Sequence, residues 1–387
     1  MQVTISDAIR YIGVDDKDID LFESQYVVPE GVSYNSYVIL DEKIAVMDTV
    51  DARGMEGWED KLLQTLNGKK PDYLIISHLE PDHAGSIGRM VELFPEVKLV
   101  ASAKAIAMLP QFFEDRLDAQ EKIAVKEGEE LSLGTHTLVF YMAPMVHWPE
   151  VMVTYEQSEK VLFSADGFGK FGSLSVEEPW EDEARRYFIN IVGKYGAPVQ
   201  ALLKKAAALD VAMICPLHGP VLTENLEHYI GLYDTWSSYR PEEKGVLIAY
   251  ASIYGNTRKA AEALADELTR AGQQVYVMDL CRCDLAQAVS DAFRYDRLVL
   301  ACATYDGGMY LPMEDYLNHL KAKNFQKRKI GLMENGSWAP MAAKKMKEAL
   351  EGMKEMTFCD TVVTIRSAMK ENDLPQIQKL AEELCAG

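Results

Sequence analysis

Two hydrophobic rhythms divide this chain near residue 240, and the change between them constrains its fold more than any single motif. Before that point apolar residues come in short β-rich runs separated by turns and helical stretches. Among them are YNSYVIL, KIAVMDTV, DYLIISH, VKLVAS, HTLVFYMA, VMVTYE and KVLFSAD. Strands this numerous, broken by a few helices, predict an α+β fold of the αββα-sandwich kind. The polar, proline-bearing SSYRPEEK, Ser237 to Lys244, reads as a linker. Beyond it GVLIAYAS is a near-continuous apolar run, the mark of a strand buried on both faces. NTRKAAEALADELTRAG reads as a helix closed by a glycine stop, and the alternation continues through QQVYVMDL, RLVLACATY, KIGLMEN and DTVVTIRS. Strands alternating with helices in this way predict an α/β unit built on a doubly wound parallel sheet. The expected domains are residues 1–240 and 245–387.

Composition narrows the class. With 387 residues, 48% hydrophobic and 26% charged, the chain can build two ordinary cores. A formal net charge of −20 and a pI near 4.8 would repel nucleic acid and anionic membranes, so neither is an expected partner. No apolar stretch approaches the ~20 residues of a membrane helix, and the start MQVTISDAIRYIGVDDKDID is too charged for a signal peptide. The six cysteines (Cys215, Cys281, Cys283, Cys302, Cys359, Cys385) form no CxxC pair, so no rubredoxin-like or zinc-ribbon module is expected. The lone CxC of Cys281 and Cys283 reads as structural. A reduced, cytoplasmic protein with free thiols is the expectation.

The densest chemistry lies directly after the apolar strand DYLIIS. His78-Leu79-Glu80-Pro81-Asp82-His83 places four metal-binding side chains within six residues. Strand-like alternation would put His78, Glu80 and Asp82 on one side. Further candidates follow other strands: His147 after HTLVFYMAPMV, Asp166 after KVLFSA and His218 after VAMICPL. A lone His or Asp at a strand end is usually a satisfied polar residue or a cap, which is how His136, His228 and His319 read. The cluster with its three followers reads instead as a metal site. Imidazoles and carboxylates without thiolate suit iron, manganese or zinc. Glu80 supplies a hard anionic oxygen where a third imidazole could sit, so His78, Glu80 and His147 form the two-His, one-carboxylate set associated with redox-active iron. Asp82, His83 and His218 would hold a second metal, with Asp166 bridging.

In its order HxExDH, HWP, FSADGFG and HGP, the N-terminal half resembles the flavodiiron proteins, in which a metallo-β-lactamase-like domain carries two irons. The resemblance matches His78, Glu80, Asp82, His83, His147, Asp166 and His218. RRYFIN, Arg185 to Asn190, resembles the family's tyrosine-rich segment near the site and marks Tyr187 as a residue behind the ligands. The interval from Asp166 to His218 is shorter than the family's, so GSLSVEEPWEDEARRYFIN reads as a trimmed loop over the site.

In the C-terminal half the first strand ends in Ser252-Ile253-Tyr254-Gly255-Asn256-Thr257 and runs straight into a helix. Such a turn offers backbone N–H groups, hydroxyls and the helix's positive end to a phosphate. It is neither GxGxxG nor a Walker loop, which disfavours dinucleotides and ATP. A sheet of flavodoxin type binds FMN at its switch point. Thr304-Tyr305-Asp306-Gly307-Gly308 and Asn335-Gly336-Ser337-Trp338 lie at two further strand ends, where glycines permit close approach and aromatic rings can cover a flavin. This half resembles the flavodoxin part of flavodiiron proteins, so together the resemblances span almost the whole chain.

A flavin beside a di-iron centre makes sense for electron transfer and none for hydrolysis. The resemblance implies an oxidoreductase that reduces O2 to water, NO to N2O, or both, with FMN relaying electrons. It implies an external donor such as rubredoxin or reduced F420, since no donor domain is expected in this sequence. It also implies a head-to-tail homodimer, or a dimer of dimers, that sets the FMN of one subunit beside the irons of the other. The competing reading is a zinc hydrolase of the metallo-β-lactamase class with a regulatory flavodoxin-like domain; Glu80 in place of an imidazole disfavours it.

Overall fold

The computed structural model describes residues 5–386; residues 1–4 and 387, at the ends of the two expected domains, lie outside the described residues. The chain divides into two compact units. One comprises the residues up to Phe188 together with Ala197–Asp234, and the other Ile189–Gly196 together with the residues from Thr235 onward. The short segment Ile189–Gly196 therefore departs from the expected 1–240 grouping. Its amide side chain explains why: Asn190 Nδ2 donates to the Ala286 carbonyl at 3.0 Å, while Tyr239 Oη donates to the Gly193 carbonyl at 3.0 Å. The expected linker is also shorter than it reads, because the helix Leu226–Ser237 precedes it and the strand Glu243–Ala251 already includes Glu243 and Lys244. Glu243 pairs with Tyr295 across a register shift.

The first unit is the expected sandwich of two sheets. Strands Ile9–Tyr11, Tyr37–Ile39, Ala45–Met47, Tyr73–Ile76, Lys98–Ser102 and Lys122–Val125 form one sheet, antiparallel at its first two pairings and parallel at the other three. Glu130–Ser132, Thr137–Met142, Met152–Glu156, Val161–Phe163 and Met213–Cys215 form the second. Ile75 and Val100 from the first pack with Phe140, Met152, Phe163 and Cys215 from the second in one hydrophobic core. The helix Met55–Leu66 buries Trp58, Leu62 and Leu66, a four-residue spacing that sets one face inward. The helix Ala103–Phe113 starts where Ser102 Oγ accepts the Ala105 N–H at 3.1 Å, and it covers the strands Lys98–Ser102 and Lys122–Val125.

His136 shows what a histidine outside the cluster does here. Its ring nitrogens meet Asp41 Oδ2 at 2.8 Å and Glu159 Oε1 at 3.2 Å, which ties the loop before Ala45–Met47 to the second sheet.

The second unit has five parallel strands in the spatial order Val275–Asp279, Glu243–Ala251, Tyr295–Tyr305, Lys329–Asn335, Thr357–Ile365. In chain order this is second, first, third, fourth, fifth, the flavodoxin-type arrangement, with its switch point between the first and third strands. Helices Asn256–Arg270 and Leu374–Cys385 bury Ala261, Leu264, Ile377 and Leu380 against Val299, Met333 and Val363 of this sheet.

Candidate metal centre and cofactor cleft

Three of the candidate ligands stand just past the end of a strand, so the sheets deliver them to one edge of the sandwich. His78 follows Tyr73–Ile76, Asp166 follows Val161–Phe163, and His218 follows Met213–Cys215. The HxExDH segment does not continue as a strand. Glu80 is extended (φ −60°, ψ 137°), Pro81 opens the short helix Pro81–Ala84, and Asp82 and His83 lie on that helical turn. A helix start, rather than the expected alternation, brings them round, and Pro81 favours it because a first-turn N–H is not needed.

The seven side chains gather as two groups, His78, Glu80, His147 and Asp166 in one, and Asp82, His83 and His218 in the other. In the first, Glu80 Oε2 lies 2.9 Å from His147 Nε2 and 3.2 Å from His78 Nε2. In the second, Asp82 Oδ2 lies 3.2 Å from His218 Nε2 and 3.4 Å from His83 Nε2. Asp166 joins them by dividing its oxygens. Oδ2 is 3.3 Å from His78 Nε2 and 3.4 Å from His147 Nε2, whereas Oδ1 is 3.2 Å from His83 Nε2 and 3.7 Å from His218 Nε2.

Buried polar atoms normally have partners. Here both oxygens of Asp82, Asp166 Oδ2 and His218 Nε2 are buried without a hydrogen bond. Three carboxylates crowded into one buried site also repel one another, which costs heavily unless cations neutralise them. Orphaned lone pairs, like charge and thiolate-free N/O donors together fit a pair of hard or borderline cations. The titration directions reflect the same crowding. Burial alone would raise Glu80 and Asp166, yet the surrounding imidazoles hold both well below the usual carboxylate range. Burial would lower His83, but Asp82 and Asp166 carry it up to about 9.

Two of the rings are oriented from behind. His78 Nδ1 donates to Glu150 Oε1 at 2.7 Å, and His218 Nδ1 donates to the Ser33 carbonyl at 2.7 Å. With each Nδ1–H held by its acceptor, each Nε2 faces the carboxylates and is the nitrogen placed to ligate a cation. Glu150 Oε1 also accepts the Leu79 N–H at 3.0 Å, so one buried carboxylate fixes both the ring and its backbone. Trp148 closes the packing, its ring centroid 5.1 Å from that of His78 and nearly perpendicular to it. Tyr187 is buried with its ring centroid 5.4 Å from that of His218. Burial, and then Asp166, Asp82 and Glu80, push its hydroxyl well above the ordinary phenol range, so it stays protonated. The segment that reads as a trimmed loop contributes the helix Trp180–Tyr187, and Lys170 Nζ pairs with Glu178 Oε1 at 2.6 Å beside it.

A cavity of about 280 Å³ opens onto the ligands, with Phe22, Glu23, Tyr34, Arg53, Glu80 and Asp82 in its wall. Arg53 Nη2 donates to Tyr34 Oη at 2.9 Å within it. The space admits a small molecule and water and little else.

The second unit has its own cleft of about 490 Å³ at the switch point of the sheet. Of the residues expected there, Ser252, Ile253, Tyr254, Asn256, Thr257, Thr304, Tyr305, Asp306, Gly307, Asn335, Gly336, Ser337 and Trp338 line it, whereas Gly255 and Gly308 do not. Gly255 shapes the turn instead: it adopts φ +85° just before the helix Asn256–Arg270, whose first N–H groups receive no side-chain cap. Uncapped amides at the start of a long helix are a ready anion site. Tyr254 and Trp338 keep 92% and 88% of their surface exposed, flat apolar rings with nothing of their own unit to cover. Ser367 is an addition the sequence did not offer, because RSAMK after the last strand lacks glycine or aromatic signals. Its N–H donates to Asn335 Oδ1 at 3.1 Å and its hydroxyl to Ser337 Oγ at 2.7 Å, joining two walls of the cleft. Phosphate-binding amides, hydroxyls and exposed rings fit FMN.

Gly255→Ala tests the turn. An Ala at φ +85° costs roughly 1–2 kcal/mol of backbone strain, so FMN affinity is expected to fall by about tenfold in a fluorescence titration of the apoprotein. An unchanged Kd would show that the turn does not position the cofactor.

Residues 32–219 match the family described as ODP family beta lactamase, and residues 248–379 match the flavodoxin family. A nitric oxide reductase of Moorella thermoacetica is 29% identical, covering 99% of this chain and 98% of the relative. The solved structure of rubredoxin oxygen:oxidoreductase from Desulfovibrio gigas superposes with a TM-score of 0.92 at 28% identity, over 99% of this chain and 98% of the other. That of the flavodiiron protein from Giardia intestinalis shares the fold, with a TM-score of 0.91 at 23% identity over 100% and 97% of the two chains. Two family matches in this order, and relatives aligned end to end, lead to one conclusion: the chain belongs to the flavodiiron proteins.

Proposed function

We propose that this chain reduces O2 to water, NO to N2O, or both, at two irons held by His78, Glu80, Asp82, His83, His147, Asp166 and His218. The observation that carries this reading is Asp166, which turns one oxygen to each of two thiolate-free ligand groups in a chain that also carries a flavodoxin unit. Bound there, the irons would supply a redox-active pair for a small diatomic molecule, and FMN a two-electron carrier able to release electrons singly.

The chain's own residues set the conditions. Glu150 and the Ser33 carbonyl fix two imidazoles in the tautomer that presents Nε2. Phe22 and Tyr187, 5.4 Å from His218 between ring centroids, pack about that imidazole, while the protonated phenol keeps its proton close to the carboxylates. The cavity beside Glu80 and Asp82 leaves water, the source of the protons that both reactions consume, access to the site. In the second unit, the amides that open Asn256–Arg270 would hold the FMN phosphate, and Tyr254, Tyr305 or Trp338 would lie against its ring. The electron donor is a separate redox molecule such as rubredoxin or reduced F420, and a head-to-tail dimer brings each flavin beside the partner's irons.

Anaerobic turnover tests the reading. Flavin-reduced protein is mixed with O2 and with NO in parallel, and flavin reoxidation is followed by absorbance. Reoxidation by at least one gas, well above the buffer control, is expected; buffer-level rates with both would end the proposal.

A further inference from the structure

We infer that a small apolar cavity behind the ligand loops takes up a diatomic apolar gas, O2 or NO, and holds it on its way to the metal groups. The inference rests on the gas chemistry proposed above and adds a second way in, distinct from the polar cavity beside Glu80.

The cavity measures about 30 Å³ and is walled by Val146, Val153, Leu162, Phe168, Val199 and Leu203 among others. A water molecule needs roughly 10–15 Å³ and two to four polar partners. The room is there, and the partners are not. Ser164 Oγ donates to the Gly167 carbonyl at 2.6 Å, Tyr233 Oη accepts the Phe168 N–H, and Lys205 Nζ donates to the Met142 carbonyl at 2.8 Å. These three polar groups of the wall are thus engaged with the protein itself. Water entering would lose hydrogen bonds, whereas an apolar gas loses almost nothing and leaves water favourably.

Position makes the cavity more than a packing defect. Val146 directly precedes His147, and Ser164, Gly167 and Phe168 flank Asp166. Its inner wall is therefore built from the same two loops that carry a ligand of the first group and the shared carboxylate. The outer wall is the helix Gly196–Ala206, which contributes Val199, Leu202, Leu203 and Ala206. These fall at i, i+3, i+4 and i+7, an apolar stripe on one helical face. Val199 is buried, whereas Leu202, Leu203 and Ala206 remain half-buried, so the stripe runs from the interior to solvent. The ion-lined cavity beside Glu80 offers no comparable apolar lining.

Crystals of the full-length holoprotein pressurised with xenon read out the site without turnover, and steady-state kinetics of Ala206→Phe and Leu203→Trp read out the route. Xenon is expected within this cavity. Both variants are expected to raise KM for the gas about fourfold or more, the equivalent of one lost buried methylene contact, with kcat at saturating gas unchanged. Absence of xenon here overturns the inference, and so does bound xenon with an unaltered KM, which would make the cavity a passive void. Should either variant fail to fold, the other and the xenon experiment still decide. A wild-type protein inert to both gases would end the proposed function, and xenon alone would then decide whether the cavity takes an apolar gas.

Discussion

Replacing Glu80, His147 or Asp166 by alanine is expected to abolish gas reduction while leaving FMN bound. Changing a residue that merely orients a ligand typically costs about 10–100-fold in metal affinity or activity, so removing a ligand itself should exceed that range. The three variants should differ in what they lose. Glu80 and His147 belong to one group, and their loss should lower occupancy of that position first. Asp166 gives one oxygen to each group, so Asp166→Ala should deplete both positions together. The flavin should be indifferent, because its cleft lies in the second unit, on a core of its own. Metal analysis and the flavin absorbance of each purified variant check both halves of the expectation. Loss of FMN in any of them would contradict the picture of two self-sufficient modules.

Glu150→Ala should produce the largest effect of any change that leaves all seven ligands in place. Glu150 Oε1 accepts hydrogen bonds from both His78 Nδ1 and the Leu79 amide, and its other oxygen is buried without a partner. Alanine would strand two buried donors at roughly 1–3 kcal/mol each and free the His78 ring to turn. Iron affinity, measured by competition with a chelator, is expected to fall by about 10–100-fold. Glu150→Gln separates orientation from packing. It keeps an acceptor of the same shape but removes the charge, so it should recover part of the affinity. An alanine variant with wild-type iron affinity would show that His78 holds its position unaided.

The sequence revealed most about features in which a single segment carries the signal. Four metal-binding side chains in six residues stand out wherever they fall, and strand exits marked His147, Asp166 and His218 as their companions. The two rhythms of apolar residues announced a sandwich and a parallel sheet, because burial on one face or on both leaves different periodicities. What escaped depends on contacts between distant segments. Glu150 reaches His78 across 72 positions and the Ser33 carbonyl reaches His218 across 185, and neither partner has a local pattern of its own. Strand alternation does not bring His78, Glu80 and Asp82 together: Pro81 starts a helix, and helical geometry turns Asp82 and His83 inward. Ile189–Gly196 joined the second unit through an asparagine amide and a tyrosine hydroxyl, contacts that apolar periodicity does not encode.

A di-iron site joined to a flavin in one chain is checked by the iron, zinc and FMN content per chain of the purified protein, read together with its visible spectrum. Two irons and one FMN per chain are expected, with an oxidised flavin spectrum. Zinc in place of iron, without flavin, would contradict it and return the fold to a hydrolytic role.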